Sequence, residues 1–477
     1  MKKGMRRQIV IIISLVLMFA GRFLFGFTSS GQVLGIFAGT LILWMTQAID
    51  WPSLLCLLAL AFVPELKMNQ LLSGSIGSST FAFLMFTFMC TYALGKTTFI
   101  RRFALMFLNT RLAKRGGWAF VFNYFLAVLV LGLFTSPTVL VVVLIPLTEE
   151  IFRLLNIEKS SKISKMMMGG MVFVSSIAAG MTPIAHVFPL MAMEFYTKVS
   201  GAYISYVDFM SIALPLGLVM FLSMLVIFYL FLKPDFSIIG KVNLNSLMKS
   251  LPNIETREKI IVAVFFGVVS LWVLPDLLSP VLPTFSSYIK QFGNAMPPLL
   301  GASILLVTSV NGEVLLDFKE AFSKGIPWSS LMMVAATLSL GSALTNENIG
   351  LITNITNTIT PILSTVAPIM VVFIFMIWTA TQTNLSSNMV TVTVVSTVAI
   401  PLTMTLGTIH PEVVSCLIGI MASYAFATPP AMATVAFAIG SEWTDAPFMF
   451  KYGLILMVVG IVLATFVGYP LGTFIFA

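Results

Sequence analysis

Between two strongly apolar runs, 369–378 and 394–401, lies the polar stretch Thr383-Asn384-Leu385-Ser386-Ser387-Asn388-Met389-Val390-Thr391-Val392-Thr393. A segment with this pattern cannot face lipid, because its polar groups would have no hydrogen-bond partners there. Hydroxyl and carboxamide groups at membrane depth instead line a protein interior or a water-filled cavity. The stretch therefore predicts the wall of a binding site.

Three further polar breaks interrupt apolar sequence in the same way. Their sequences are Phe134-Thr135-Ser136-Pro137-Thr138, Gly180-Met181-Thr182-Pro183 and Ala427-Thr428-Pro429-Pro430. Proline removes a backbone donor and interrupts a helix, so the last two predict broken helices with free backbone amides and carbonyls. A simple proline kink is the alternative. We expect the four breaks to form one site.

Composition places the chain among polytopic membrane proteins. Of its 477 residues 58% are hydrophobic and 9% are charged, and the mean hydropathy is +1.02. The net charge of +8 does not indicate nucleic-acid binding, because the basic residues form short clusters between apolar runs. About eleven spans are predicted, at 8–27, 31–49, 51–65, 75–97, 166–197, 207–232, 260–276, 296–311, 327–346, 412–440 and 448–475.

Two other apolar stretches, 118–152 and 366–402, are too long for one span and too short for two spans with a turn, which need more than about 40 residues. Each predicts a re-entrant helical hairpin with a serine at its tip. With the N-terminus in the cytoplasm, this arrangement puts most of the 26 Lys and Arg residues on the cytoplasmic side and the C-terminus outside. A single crossing at 118–152 would destroy that asymmetry.

A hairpin followed by a broken helix therefore occurs twice, at 118–197 and at 366–440, with opposite orientation. Inverted repeats with discontinuous helices are typical of secondary transporters. The predicted fold is an all-α polytopic membrane protein with an inverted-repeat elevator architecture. Its predicted parts are scaffold helices in 1–117 and 260–365, a helix and cytoplasmic linker in 207–259, and transport-domain repeats in 118–206 and 366–477.

The candidate ligands are side-chain oxygens and backbone groups at the breaks, with no Lys or Arg among them. An anion held there needs hydroxyls, amides, helix ends or bound cations, and this favours cation coupling. His186 is a candidate proton-linked residue, although a neutral histidine bonded to a neighbour is the simpler interpretation. The predicted substrate ligands are Ser136, Thr138, Thr182, Pro183, Ser387, Asn388, Thr428 and Pro429.

Other function classes have little support in the sequence. There is no HExxH motif, no GxSxG or phosphate loop in a suitable context, and Ser303 has no persuasive histidine partner. The three cysteines, Cys56, Cys90 and Cys416, form no metal-binding pattern. An enzyme, a channel and a structural protein are thus the less favoured alternatives to a transporter.

The two serine tips and the two Thr-Pro breaks resemble those of the divalent anion/sodium symporters, a family within the ion-transporter superfamily. The resemblance extends over nearly the whole chain. It implies a homodimer in the cytoplasmic membrane, an elevator motion of the transport domain, a small anionic substrate and one sodium ion at each tip. By position, the second sodium site would comprise Thr383, Ser387, Asn388 and the Ala427 carbonyl, and the first would comprise Ser136 and the Met181 carbonyl.

The chain departs from the family pattern mainly in the first repeat. Pro137 stands where the pattern has Asn, and Gly132 corresponds to Thr383 but offers no oxygen. Near the substrate, Met389 replaces a hydroxyl, and Ala185 and Ala431 replace Asn. We expect sodium-coupled symport of a dicarboxylate-like, tricarboxylate-like or inorganic anion. Proton coupling, anion exchange and an atypical substrate remain alternatives.

Overall fold

The computed structural model describes residues 3–234, 236, 251–351, 360–361, 363–429 and 431–476, with side chains from Arg7 onward. Nearly all regular structure in these ranges is helical. A two-stranded antiparallel hairpin pairs β1, Ser309–Val310, with β2, Glu313–Val314. Most of the predicted cytoplasmic linker and Pro430 lie outside the described residues. The helices in chain order are α1 Lys3–Leu24, α2 Ser29–Thr46, α3 Trp51–Leu60, α4 Met68–Ser73, α5 Ser79–Gly95, α6 Phe99–Leu108, α7 Gly117–Gly132, α8 Pro137–Leu154, α9 Lys162–Met181, α10 Val187–Ser200, α11 Tyr206–Ile227, α12 Thr256–Leu278, α13 Pro283–Lys290, α14 Met296–Val307, α15 Phe318–Glu320, α16 Trp328–Leu344, α17 Pro368–Leu385, α18 Asn388–Leu406, α19 Pro411–Ser423, α20 Ala433–Gly440, α21 Ala446–Leu463 and α22 Tyr469–Phe476.

The prediction of an all-α polytopic membrane protein is confirmed. Among the described residues, eight helices are long and apolar enough to cross a bilayer, and up to ten if each of two bent helix pairs counts as one span. Two predicted spans are shorter than the sequence suggested. The helix predicted at 51–65 ends at Leu60, and the helix predicted at 296–311 ends at Val307 before β1 begins.

A helix pair followed by a broken helix occurs in each half of the chain. In the first half α7 and α8 are joined at residues 133–136, and in the second α17 and α18 are joined at 386–387. Both joints are compatible with the sequence, because Ser136 and Ser387 occupy the N-cap positions of α8 and α18. By length alone α17 and α18 are each long enough to span, so length does not decide whether this pair is re-entrant.

The two broken helices form the centre of the molecule. Helix α9 is buried over nearly its whole surface, and α19 is buried from Val413 to Ser423. A helix that is apolar all round belongs in a protein interior. The first break separates α9 from α10 at residues 182–186, and the second separates α19 from α20 at 424–432. Both predicted interruptions are thus present as breaks in helical structure.

The end of α8, the start of α9 and the loop between them pack against the segment before α21. Lys165 Nζ lies 2.5 Å from Asp445 Oδ2, and Lys159 Nζ lies 2.7 Å from Glu442 Oε2. The ring of Phe152 packs on Trp443 with centroids 4.8 Å apart. Burial works against ionisation of Asp445, but hydrogen bonds from Lys165 and the Phe448 N–H outweigh it and lower the carboxyl pKa. These contacts join the two halves of the chain.

Candidate binding site

Each broken helix is attached to the tip of its own helix pair by the same threonine hydrogen bond. In the first half Thr182 Oγ1 donates to the Leu133 carbonyl at 2.7 Å. In the second half Thr428 Oγ1 donates to the Asn384 carbonyl at 2.6 Å. Leu133 and Asn384 each precede the tip serine by the same number of residues. The two halves therefore share this internal contact as well as their order of helices.

The side chain of Asn384 fixes the second break more firmly. Its Nδ2 donates to the carbonyls of Ala380 and Tyr424, at 2.9 and 3.0 Å. Its Oδ1 accepts the backbone N–H groups of Phe426 and Ala427, at 2.8 and 3.0 Å. The residue is 1% exposed. One buried carboxamide thus satisfies three backbone groups that the end of α19 leaves free.

Sequence reasoning placed Asn384 in the polar stretch but gave it no role. The one feature of the sequence that pointed to a role for Asn384 was its position next to Thr383. Spacing alone does not show which carbonyls and amides a break exposes, so the four hydrogen bonds of Asn384 could not be derived. Leu133 occupies the corresponding position in the first half and has no polar side chain to do the same.

The two breaks lie against each other. A Cβ added to Gly180, near the end of α9, would meet Tyr424 Cε1 and the Ile420 carbonyl, each at 3.1 Å. Earlier in α9, Ser176 Oγ lies 3.3 Å from the Met432 sulfur. Close approach of the helices at Gly180 depends on the missing side chain. The structure thus brings the end of α9 close to both ends of the second break, at Tyr424 and at Met432.

The second tip has polar atoms without protein partners. Asn388 is 3% exposed, and its Oδ1 is buried without a hydrogen bond. The Ser387 side chain forms no capping bond to α18, and the residue is partly exposed. Thr383 differs from both, because its hydroxyl donates to the Ala422 carbonyl at 2.9 Å. That bond leaves the lone pairs of Thr383 Oγ1 free to accept or to coordinate.

The first tip has fewer free oxygens. The Ser136 hydroxyl accepts the Val139 N–H at 3.5 Å as a cap of α8. A Cβ on Gly132 would lie 2.6 Å from the Ala178 Cβ, so a methyl group fills the space where a longer side chain would stand. Met181 is buried, and its side chain packs against Gly217. The asymmetry between the tips agrees with the departures seen in the sequence.

The remaining predicted residues differ in exposure. Thr182 and Pro183 are buried, Thr428 is partly exposed, and Thr138 and Pro429 are exposed. His186 is the residue before α10, and its ring lies against Phe188 with centroids 4.0 Å apart and ring planes tilted by 53°. Its Nδ1 is buried without a partner. The hydrogen-bonded neighbour expected for a purely structural histidine is therefore not found at this nitrogen.

The arrangement has the chemistry of an ion-binding site made of neutral oxygens and helix ends. In the described part of the chain no group of three His, Cys, Asp or Glu residues is placed to hold a metal ion. Hydroxyl, carboxamide and carbonyl oxygens are ligands for hard cations such as sodium, and the amino ends of α10 and α20 favour anions.

A family profile described as "Sodium:sulfate symporter transmembrane region" matches residues 2–476. The chain belongs to this family. The match confirms the resemblance to the divalent anion/sodium symporters and supports a transport role that is not enzymatic.

Two curated relatives, each similar to this chain at low sequence identity, are named as transporters. A "Sodium-dependent dicarboxylate transporter SdcS" of Staphylococcus saprophyticus is 23% identical over 443 residues, which cover 89% of this chain and 83% of the relative. An uncharacterised transporter of Haemophilus influenzae is 23% identical over 474 residues, 97% of each chain.

The fold also resembles a solved transporter structure. The crystal structure of the YdaH transporter of Alcanivorax borkumensis matches with a TM-score of 0.55 and 14% identity. The match covers 85% of this chain and 87% of the other. At this identity the likeness concerns the fold. It supports the architecture described above independently of sequence.

Proposed function

We propose that the protein is a sodium-coupled symporter of a small anion, of the dicarboxylate, tricarboxylate or inorganic type. The observation that carries the proposal is the buried Asn388 Oδ1, which has no donor within the protein. Leaving such an acceptor unpaired costs about 1–3 kcal/mol. A sodium ion beside Ser387 and Asn388 would satisfy this oxygen and also supply positive charge for the anion.

The residues present fit a cation at the second tip better than at the first. Ser387, Asn388, Thr383 and the Ala427 carbonyl are the proposed ligands, and Asn384 holds the backbone of the break beside them. At the first tip Ser136 and the Met181 carbonyl remain, without a carboxamide. We therefore propose a coupling stoichiometry lower than two complete sites would give.

The anion would bind between the tips and the breaks. Thr138 and the amino ends of α10 and α20 would offer donors, and the bound cation would compensate charge. Thr182 and Thr428 would border the site, with their hydroxyl hydrogens already donated to the Leu133 and Asn384 carbonyls. Because Met389, Ala185 and Ala431 offer no hydroxyl or carboxamide, we propose a substrate with fewer polar contacts than a typical dicarboxylate site accommodates.

Transport by this fold would proceed by an elevator motion in a homodimer. In the proposed division, 118–206 and 366–477 move and 1–117 and 260–365 form the scaffold, with 207–259 linking them. The hairpins would be re-entrant with opposite orientation, the N-terminus cytoplasmic and the C-terminus outside the cell membrane. The uneven distribution of Lys and Arg supports this orientation.

The first experiment is a thermal-shift screen of purified protein with dicarboxylates, citrate, sulfate and phosphate, in sodium and in potassium. A ligand that binds the folded state raises the apparent Tm. Uptake of the hit into proteoliposomes should then require sodium, and Asn388→Ala and Ser387→Ala should abolish uptake while membrane insertion is retained. Normal uptake in both variants would refute the assignment of the site.

Proton coupling through His186 is a second candidate, because its buried Nδ1 lacks a partner beside the first break. It predicts uptake that is independent of sodium, accelerated by a proton gradient and lost in His186→Ala. Sodium-dependent uptake that survives His186→Ala would exclude it.

A further inference from the structure

A polar cavity of about 510 Å³ lies away from the tips, at the other end of α10. It is enclosed by the carboxyl ends of α10 and α12 and by the amino ends of α5, α11 and α14. Its polar lining residues include Ser79, Glu194, Tyr203, Asp276, Lys290 and Asn294. Part of this wall therefore belongs to the first broken helix and part to helices outside both repeats.

Three charged residues line this cavity: Glu194, Asp276 and Lys290. Lys290 Nζ lies 2.5 Å from Asp276 Oδ1, so these two groups form an ion pair. Glu194, on α10, forms no hydrogen bond or ion pair in the described part of the chain. Lys198 is the next cation on α10, and its ammonium donates to the carbonyls of Gly74 and Leu338. A ligand of this cavity thus meets Lys290, which is paired with Asp276, and the carboxylate of Glu194, which has no ion-pair partner in the described part of the chain.

An apolar groove of about 490 Å³ continues from the polar cavity along α12 and α14. The two share Leu271, Pro275 and Pro297 as lining residues. Ser270 is the one polar side chain among the residues that line the groove. Gly267 is exposed there, and a Cβ added to it would meet no atom within 4 Å. The groove is open to a hydrocarbon chain along a membrane-spanning helix.

Aromatic residues indicate the depth of this region in the membrane. Tyr203 is 59% exposed, and its hydroxyl accepts a hydrogen bond from Asn294 Nδ2 at 2.9 Å. The indole N–H of Trp272 donates to the Asn294 carbonyl at 3.1 Å. Tyr and Trp with one polar and one apolar end are enriched at the lipid headgroup level. Trp272 is itself buried, so it is the exposed Tyr203 that favours a position of the polar cavity at this level, with the groove extending towards the hydrocarbon region.

We propose that this composite site binds a phospholipid with a primary amine in its headgroup, such as phosphatidylethanolamine. The phosphate would approach Lys290, the ammonium group would approach Glu194, and one acyl chain would lie in the groove past Gly267. A primary ammonium can donate hydrogen bonds to a carboxylate, whereas a choline headgroup cannot. An anionic headgroup without an amine would leave Glu194 unpaired.

The lipid would connect parts of the protein that the proposed elevator motion separates. Glu194 belongs to α10, whereas Gly267, Asp276 and Lys290 belong to α12 and α13. The binding site itself does not depend on the proposed transport activity, because none of these residues lies at the tips or the breaks.

The test is native mass spectrometry of the whole protein after delipidation and addition of equal amounts of phosphatidylethanolamine, phosphatidylcholine and phosphatidylglycerol. Phosphatidylethanolamine should be retained preferentially. Gly267→Leu should lower its retention by about tenfold, the effect of losing about two buried methylene contacts. The matched control is Gly440→Leu at the end of α20, where an added side chain also meets no atom. It should bind as the wild type does.

Glu194→Gln gives an independent readout of the headgroup. It keeps the size of the side chain and removes the charge, so the preference for phosphatidylethanolamine over phosphatidylcholine should disappear while overall lipid binding remains. Equal retention of all three lipids by the wild type would overturn the proposal. Unchanged binding in Gly267→Leu would overturn the assignment of the groove.

Discussion

The Asn384 Oδ1 lies 2.8 Å from the backbone nitrogen of Phe426 and accepts its hydrogen. A residue of the second tip thereby determines the backbone conformation of the break that follows Ser423. A second hydrogen bond runs in the opposite direction, from the Thr428 hydroxyl in the break to the Asn384 carbonyl in the tip. The tip and the break are therefore one hydrogen-bonded unit, and the ligands proposed for sodium are attached to both parts of it.

Replacement of Asn384 should disrupt this unit. Asn384→Ala leaves the N–H groups of Phe426 and Ala427 and the Tyr424 carbonyl without their side-chain partner, at about 1–3 kcal/mol for each buried group. We expect a lower apparent Tm and a sodium concentration for half-maximal uptake that is raised at least severalfold.

A buried carboxamide elsewhere provides the control. Asn123 is 4% exposed and donates to the Ala119 carbonyl within its own helix. Asn123→Ala should lower the apparent Tm without changing the sodium dependence. If Asn384→Ala also changed only the Tm, Asn384 would have a purely structural role.

The two equivalent threonines should differ in their effect on sodium. Thr428→Val removes the bond to Asn384 and should weaken apparent sodium affinity by about tenfold, whereas Thr428→Ser should retain it. Thr182→Val removes the matching bond to Leu133 and should lower stability by about 1 kcal/mol with little change in sodium affinity. Sodium-dependent uptake by the four proteins, including the wild type, checks this. Equal sodium effects in both valine variants would indicate two working cation sites.

The sequence predicted the class of fold and the location of the breaks, because both depend on local chemistry. Proline at 183 and 429 interrupts helices wherever they pack, and serine at 136 and 387 is suited to begin a helix. The correspondence between halves was also readable, since each has a serine joint followed by a Thr-Pro break. These features need no knowledge of long-range contacts.

Contacts between residues that are far apart in the chain could not be predicted from the sequence. Asn384 and Tyr424 are hydrogen-bonded only because α17 and α19 are adjacent. Gly132 is a second example. The sequence showed that it offers no ligand oxygen, but not that Ala178 packs against it and leaves no room for a side chain. Lengths of α3 and α14 were overestimated because apolar sequence continues beyond the last helical residue. Hydropathy does not report where hydrogen bonding ends.

The contact between Gly132 and Ala178 gives a test of packing at the first tip. A Cβ on residue 132 would lie 2.6 Å from the Ala178 Cβ, which is too close for two methyl groups. Gly132→Ala should therefore destabilise the protein by about 1–3 kcal/mol through overpacking. The double variant Gly132→Ala with Ala178→Gly should recover most of the lost Tm, because it exchanges the two positions of the methyl group. Additive losses in the double variant would show that the contact is not responsible.

Lys198 should make stability depend on pH in the alkaline range. Its ammonium, at the end of α10, donates to the carbonyls of Leu338 and Gly74, at 3.1 and 3.3 Å. Burial lowers the pKa of Lys198 from 10.5 to about 8, against the opposing effect of Glu194. Below the folded-state pKa both states hold the proton, and the folded state bears the cost of burying the charge.

Between about pH 8 and 10.5 the folded protein releases this proton while the unfolded chain keeps it, so stability should rise with pH. The apparent Tm of the wild type relative to Lys198→Met should therefore increase from pH 7 to pH 10. The exposed Lys67→Met is the matched control, and its Tm should follow that of the wild type across the same range. A constant difference between wild type and Lys198→Met would mean that Lys198 keeps its charge in the folded protein over this range.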